Sequence, residues 1–184
     1  AALLSLTFGW SSFKEWTRSL GQRAGSVGVG SVLVILVIGL VLVWRAATSL
    51  PDQLLHITFL DVGSADAVLI QTPGGKNVLI NGGESVSTLA DELGRRVSAF
   101  DRKLDWLVVA ATDEEQVAAL PRVLERYPPD QVLWSGNAEA SFSALVLKEY
   151  LATQQISVTT AEVGQELDLG DGGTLKVLTV GPRG

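Results

Sequence analysis

Apolar residues follow different rhythms along this chain, and the change of rhythm divides it. From Ala24 to Trp44, AGSVGVGSVLVILVIGLVLVW runs 21 residues without a charge, and from Val32 onward it is almost wholly Val, Leu and Ile. At about 1.5 Å per residue, roughly 20 such residues cross the hydrocarbon core of a bilayer. Residues 24–45 are therefore expected to form a transmembrane helix, with Trp44 and Arg45 as an interfacial anchor. RAATSLPDQ (45–53) reads as a short linker because Pro51 blocks continuation of a helix. We place the linker at 46–54 and a folded domain at 55–184.

Beyond the linker the period shortens. LLHITFLDV (54–62) alternates as a strand does, DAVLIQT (66–72) reads as a second strand, PGGK (73–76) as a turn, and NVLINGG (77–83) as a third strand. Val86, Leu89, Leu93, Val97 and Phe100 recur at helical spacing over 86–100. LDWLVVAA (104–111) is a continuous apolar run, the pattern of a strand buried on both faces. A helix is expected from Asp113 to Tyr127, followed by a strand at QVLWSG (131–136), a helix at FSALVLKEYLATQ (142–154) and a strand at ISVTTAEV (156–163). QELDLGDGGTLKVLTV (165–180) reads as a hairpin turning at Gly-Asp-Gly-Gly. Three strands before the first helix, then strands and helices in alternation, give an α/β layered domain on a mixed sheet.

Composition narrows the chemistry. The chain has no cysteine, which excludes disulfides, thiolate metal sites and cysteine nucleophiles, and its single histidine, His56, cannot complete a histidine metal cluster or a catalytic triad. It also has no methionine, even at position 1, and ends on TVGPRG, so we expect a piece of a longer protein with its folded domain truncated. Charge is uneven. Residues 1–51 carry Lys14, Arg18, Arg23 and Arg45 against Glu15, whereas residues 52–184 carry ten basic against nineteen acidic residues. So acidic a domain is a poor electrostatic match for a phosphate backbone. The basic residues before the apolar run place 1–23 in the cytoplasm and the acidic domain outside it, at a bacterial inner membrane. Residues 1–13 (AALLSLTFGWSSF) fit either the tail of an earlier membrane helix or an interfacial segment.

The carboxylates Asp113, Glu114 and Glu115 stand at the mouth of the strand that ends near Ala111. A helix N-terminus exposes unpaired N–H groups and favours nearby carboxylates by about 0.3–1 kcal/mol each. Thr112 and Glu115 also have the T-x-x-E spacing of a capping box. Asp61 and Asp66 read as turn carboxylates that bond nearby backbone N–H groups, and His56 as a strand residue.

Three stretches carry a family resemblance: FLDVGSADAVLIQTPGGKNVLINGG (59–83), LDWLVVAATDEEQVAALPRVLERYPPDQVLW (104–134) and GQELDLGDGGTLKVL (164–178). In order and spacing they resemble the extracytoplasmic metallo-β-lactamase-like domain of ComEC-type competence proteins, the membrane channels of DNA uptake. The first stretch looks like that family's FLDVGQGDAxLIQTPxGxxxLIDGG. The resemblance implies an αββα metallo-β-lactamase-like sandwich, incomplete here, behind a transmembrane helix. It also implies a zinc or manganese pair held by an H-x-H-x-D-H motif after a buried strand, with an aspartate at the end of the third strand steadying the ligands.

At those positions this chain departs from the family. Ala111 stands at the first histidine, Asp113 at the second, Glu115 at the aspartate and Gln116 at the last histidine, while Asn81 replaces the steadying aspartate. Alanine offers no donor atom and glutamine only a neutral amide oxygen. A residual site of Asp66, Asp113 and Glu115 would suit a weakly held Mg²⁺ or Ca²⁺. No cofactor and no catalytic residue are expected. The resemblance favours a metal-free, non-catalytic module of a DNA-uptake channel, with membrane lipid and the rest of the channel as partners and DNA bound only through the full-length protein. The competing readings are an active metal-dependent hydrolase or nuclease, and a membrane-anchored interaction domain unrelated to DNA.

Overall fold

The structure is a computed structural model that describes residues 29–48 and 53–180. The chain divides into two compact units, Ala1–Ser49 and Leu50–Gly184, and the division falls inside the expected linker. The expected cytoplasmic segment, with Lys14, Arg18 and Arg23, lies outside the described residues.

In the first unit, Val29–Thr48 forms helix α1. The expected transmembrane helix is corrected here: among the described residues no helix is long and apolar enough to cross a membrane. The uncharged part of α1 ends at Trp44, before Arg45.

The second unit is built on one six-stranded sheet. Its strands are β1 (His56–Leu60), β2 (Ala67–Gln71), β3 (Asn77–Ile80), β4 (Leu104–Val109), β5 (Pro129–Trp134) and β6 (Ser157–Thr160), in the spatial order β1-β2-β3-β4-β5-β6. The first three pair antiparallel, and β3 through β6 pair parallel. This is a mixed α/β fold with a parallel sheet portion. The connections carry α2 (Val86–Arg96), α3 (Glu114–Val117), α4 (Leu120–Val123) and α5 (Phe142–Thr153). A separate hairpin, β7 (Glu166–Gly170) with β8 (Gly173–Lys176), turns through Asp171 and Gly172, both at positive φ, as a two-residue primed turn requires.

Strand alternation sends the sheet's side chains into two cores. Leu69, Leu79, Leu107, Val109 and Val132 pack with Leu89, Leu93, Leu120, Leu124, Leu147 and Leu151 from the helical side. On the opposite face Val78, Val108 and Leu133 pack with Leu167, Leu169 and Val177 of the hairpin region. The run at 104–109 is buried on both faces for this reason. Each fully buried leucine contributes about 1.5–3 kcal/mol relative to exposure. The hairpin covers the middle of its face, while Ile57 and Phe59 on β1 stay exposed.

The helix expected over 113–127 is instead two short helices. Continuation past Val117 would need the Gln116 carbonyl for Leu120 N–H. That carbonyl already accepts from Gly82 N (2.9 Å) and Gly83 N (3.1 Å). Ala119 N–H is diverted to Gly83 O (3.0 Å), and Pro121 has no N–H to offer Val117. The close approach also fixes the glycines. A Cβ on Gly82 would stand 2.5 Å from Leu120 Cδ2, and Gly83 has φ +79 with Val62 only 2.8 Å from its virtual Cβ.

The same substitution should therefore act with opposite sign at two glycines. Gly82→Ala is expected to lower the urea unfolding free energy by about 1–3 kcal/mol through overpacking. Gly94→Ala, inside α2 with only the Tyr127 hydroxyl at 3.5 Å, should raise it by about 0.5–1 kcal/mol.

Candidate functional site

The C-terminal ends of β3 and β4 lie side by side, and the motif positions meet there. Asn81 directly follows β3, at φ +55 in the left-handed region that asparagine tolerates. It is buried, at 8% exposure. Its backbone N–H extends the sheet to Val108 O (2.9 Å). Its side-chain Oδ1 accepts from Ala110 N (2.9 Å) and Ala111 N (3.3 Å), and its Nδ2 donates to Gln116 Oε1 (3.2 Å). Parallel pairing ends at Val108, and the Asn81 amide takes up two N–H groups that the sheet leaves behind. Ala111, Asn81 and Gln116 are thus bound to one another through backbone and amide groups.

The carboxylates are placed differently. Asp113 is the N-cap of α3, yet its side chain makes no capping hydrogen bond. With the N-cap at Asp113, Thr112 lies outside the helix and Glu115 falls at the second helical position. The capping box expected of Thr112 and Glu115 is one residue out of register and does not form. Thr112 is buried, and its carbonyl accepts from Ser141 Oγ (2.6 Å). Asp113 and Glu115 are exposed, as are Asp61 and Asp66. None of the four makes a side-chain hydrogen bond or ion pair with another described residue, so the turn bonds expected of Asp61 and Asp66 are absent there. His56 opens β1, opposite Gln71. Among the described residues no three His, Cys, Asp or Glu side chains stand close enough together to hold a metal ion.

Glu114 is the acid that finds a partner, and sequence reasoning missed it. Its carboxylate accepts from Ser143 N at 3.0 Å and from Ser143 Oγ, at the N-terminus of α5. Ser141 caps that helix through Ala144 N (3.1 Å). The loop after β4 is thereby tied to α5 by Ser141 from one side and Glu114 from the other. Donation from the Ser143 hydroxyl, then from the Ser143 backbone, holds the Glu114 carboxyl below the usual glutamate value. The signal was the Ser-x-Ser spacing at 141–143, a capping pattern ahead of an apolar helix.

No family model matches the chain, and no curated protein matches it. Three solved structures are similar to it in part. A mutant flavo-diiron protein from Thermotoga maritima is 24% identical, over 60% of this chain and 26% of its own, with TM-score 0.43. The peroxy-diiron species of the chemotaxis sensor ODP is 16% identical, over 64% of this chain and 46% of its own, with TM-score 0.45. A metal-soaked flavodiiron core from Synechocystis is 18% identical, over 66% of this chain and 32% of its own, with TM-score 0.43. The chain spans less than half the length of each, and likenesses of this grade assign no activity to it.

The resemblance to ComEC-type competence proteins is corrected by these findings. No family model supports it, and the described residues contain no membrane-crossing helix.

The Glu114 contact predicts a small acid-limb effect. A carboxyl depressed in the folded state adds stability above its unfolded value, about pH 4.3, and loses it as pH falls through the lower folded value. Glu114→Gln should flatten the fall of the urea midpoint over that acid window. Ser143→Ala should do the same.

Proposed function

We propose that the Leu50–Gly184 unit is a metallo-β-lactamase-like module that performs no metal chemistry and serves as a binding or scaffold domain. One observation supports this reading above the others: the side chains at two key motif positions, Asn81 and Gln116, bond to each other at 3.2 Å. A metal site needs donor atoms left unsatisfied by protein and aimed at a common point. Here the Gln116 Oε1 lone pair faces the Asn81 amide, and Asn81 Oδ1 faces two backbone N–H groups.

The remaining donors do not fit a zinc or manganese pair. Ala111 contributes no side-chain donor, and no imidazole stands at any of the aligned positions. Asp113 and Glu115 project from the exposed start of α3 as isolated carboxylates. Two exposed oxygens without imidazole suit at most a weak hard cation. The layer order supports the same fold reading: helices, a mixed sheet, then a second β layer begun by β7 and β8.

Metal analysis of the full chain, purified without added metal and again after zinc or manganese loading and dialysis, tests the proposal. Substoichiometric metal in both samples is expected. One or more firmly retained equivalents, lost on Asp113→Ala, would overturn it. Asn81→Ala should cost about 1–3 kcal/mol in urea unfolding, because two backbone N–H groups lose their acceptor, and it should leave metal content unchanged.

A further inference from the structure

Asn81 is followed by Gly82, the chain's single Asn-Gly pair; Asn77 precedes Val78 and Asn137 precedes Ala138. A glycine leaves the following amide nitrogen unshielded by a Cβ and leaves the backbone free to turn it toward the asparagine side chain. We propose that Asn81 is a latent deamidation site that the fold holds shut through Gln116.

The chemistry is self-contained apart from water. The Gly82 backbone nitrogen gives its proton to solvent base and attacks Asn81 Cγ. A new N–Cγ bond closes a five-membered succinimide. The Cγ–Nδ2 bond breaks, and the leaving nitrogen takes up a proton and departs as ammonia. Water then opens the ring at either carbonyl, leaving aspartate or isoaspartate. Nothing is oxidised or reduced.

Both reacting groups are tied to one residue. The nucleophile, Gly82 N–H, donates to the Gln116 carbonyl at 2.9 Å. The amide under attack donates its Nδ2 hydrogen to Gln116 Oε1 at 3.2 Å, while its Oδ1 is anchored on Ala110 and Ala111. Asn81 Cγ cannot swing onto Gly82 N without breaking these bonds, and the site is buried from water. Conversion therefore requires local opening of the β3 end away from α3. The two products differ in fit. An aspartate keeps both N–H donors, now charge-assisted, and Gln116 can turn its amide to present Nε2. An isoaspartate adds a methylene to the main chain just where Gly82 and Gly83 must reach one carbonyl.

Peptide mass spectrometry of the full chain, incubated at mildly alkaline pH with and without denaturing urea, tests this. In urea Asn81 should convert faster than Asn77 and Asn137. In the folded chain its conversion should be slower by about tenfold or more, as closure of a local opening implies. Gln116→Ala should speed native conversion severalfold and leave the rate in urea unchanged. Should that variant not fold, wild-type hydrogen exchange at the Gly82 amide is the second measure. Across subdenaturing urea, its opening and the Asn81 conversion rate should rise together. Equal rates in folded and unfolded chains, or native conversion that does not track Gly82 opening, would overturn the proposal.

Discussion

Two backbone N–H groups, from Gly82 and Gly83, converge on the single carbonyl of Gln116. Most of the geometry around the strand ends follows from that convergence. A carbonyl with both lone pairs taken cannot accept from Leu120, so α3 ends after one turn. The diverted Ala119 N–H returns to Gly83 O and closes the junction from the other side. The approach leaves no room for a Cβ at position 82 beside Leu120, Gly83 lies at positive φ against Val62, and Asn81 enters through a left-handed turn. Gly82 and Gly83 are buried, and a buried N–H left without this acceptor would cost about 1–3 kcal/mol. The junction is thus maintained by satisfaction of backbone groups as much as by the leucine core beneath it.

The same economy of donors bears on function. Catalytic metal sites sit at strand ends because side chains there can be aimed at a shared point while backbone groups are satisfied elsewhere. In this chain the backbone after β4 is not satisfied elsewhere. Ala110 and Ala111 take the Asn81 side-chain oxygen, and Gln116 takes the Asn81 side-chain nitrogen. A residue at position 81 that served a metal ligand would have to release those two N–H groups or satisfy both duties at once. An aspartate could do so with its two oxygens. An asparagine has one oxygen, and it is already committed.

How far the sequence disclosed this depends on which force decided each element. Where burial decided, the pattern was legible. The double-faced apolar run at 104–109 is a central strand, and Gly-Asp-Gly-Gly at 170–173 is a hairpin turn. Where a single long-range hydrogen bond decided, it was not. The spacing of apolar residues from 113 to 127 fits one helix well, and only the Gly82 and Gly83 contacts, over thirty positions upstream, interrupt it. The capping box failed for a similar reason. Thr112 is drawn into the contact with Ser141, so the helix starts one residue later. The apolar run at 24–45 reads as a membrane span on hydropathy alone, whereas among the described residues no helix is long and apolar enough to cross a membrane. Asn81, Ala111 and Gln116 were legible as positions, whereas their mutual bonding was not, because nothing in composition distinguishes an idle amide from a committed one.

The acids at 113–115 separate along the same line. A helix of a single turn has a weak dipole and little need of three carboxylates, so their number is not explained by α3 itself. Glu114 leaves its own helix and serves the N-terminus of α5, where the Ser143 N–H and hydroxyl point outward and want an acceptor. That contact crosses from the end of β4 to the helix following β5, and so links neighbouring crossovers of the parallel sheet. Asp113 and Glu115 remain in solvent, where they add to the negative surface of the domain at little energetic consequence. Of three acids adjacent in sequence, Glu114 is thus an acceptor for a neighbouring helix, while Asp113 and Glu115 are exposed.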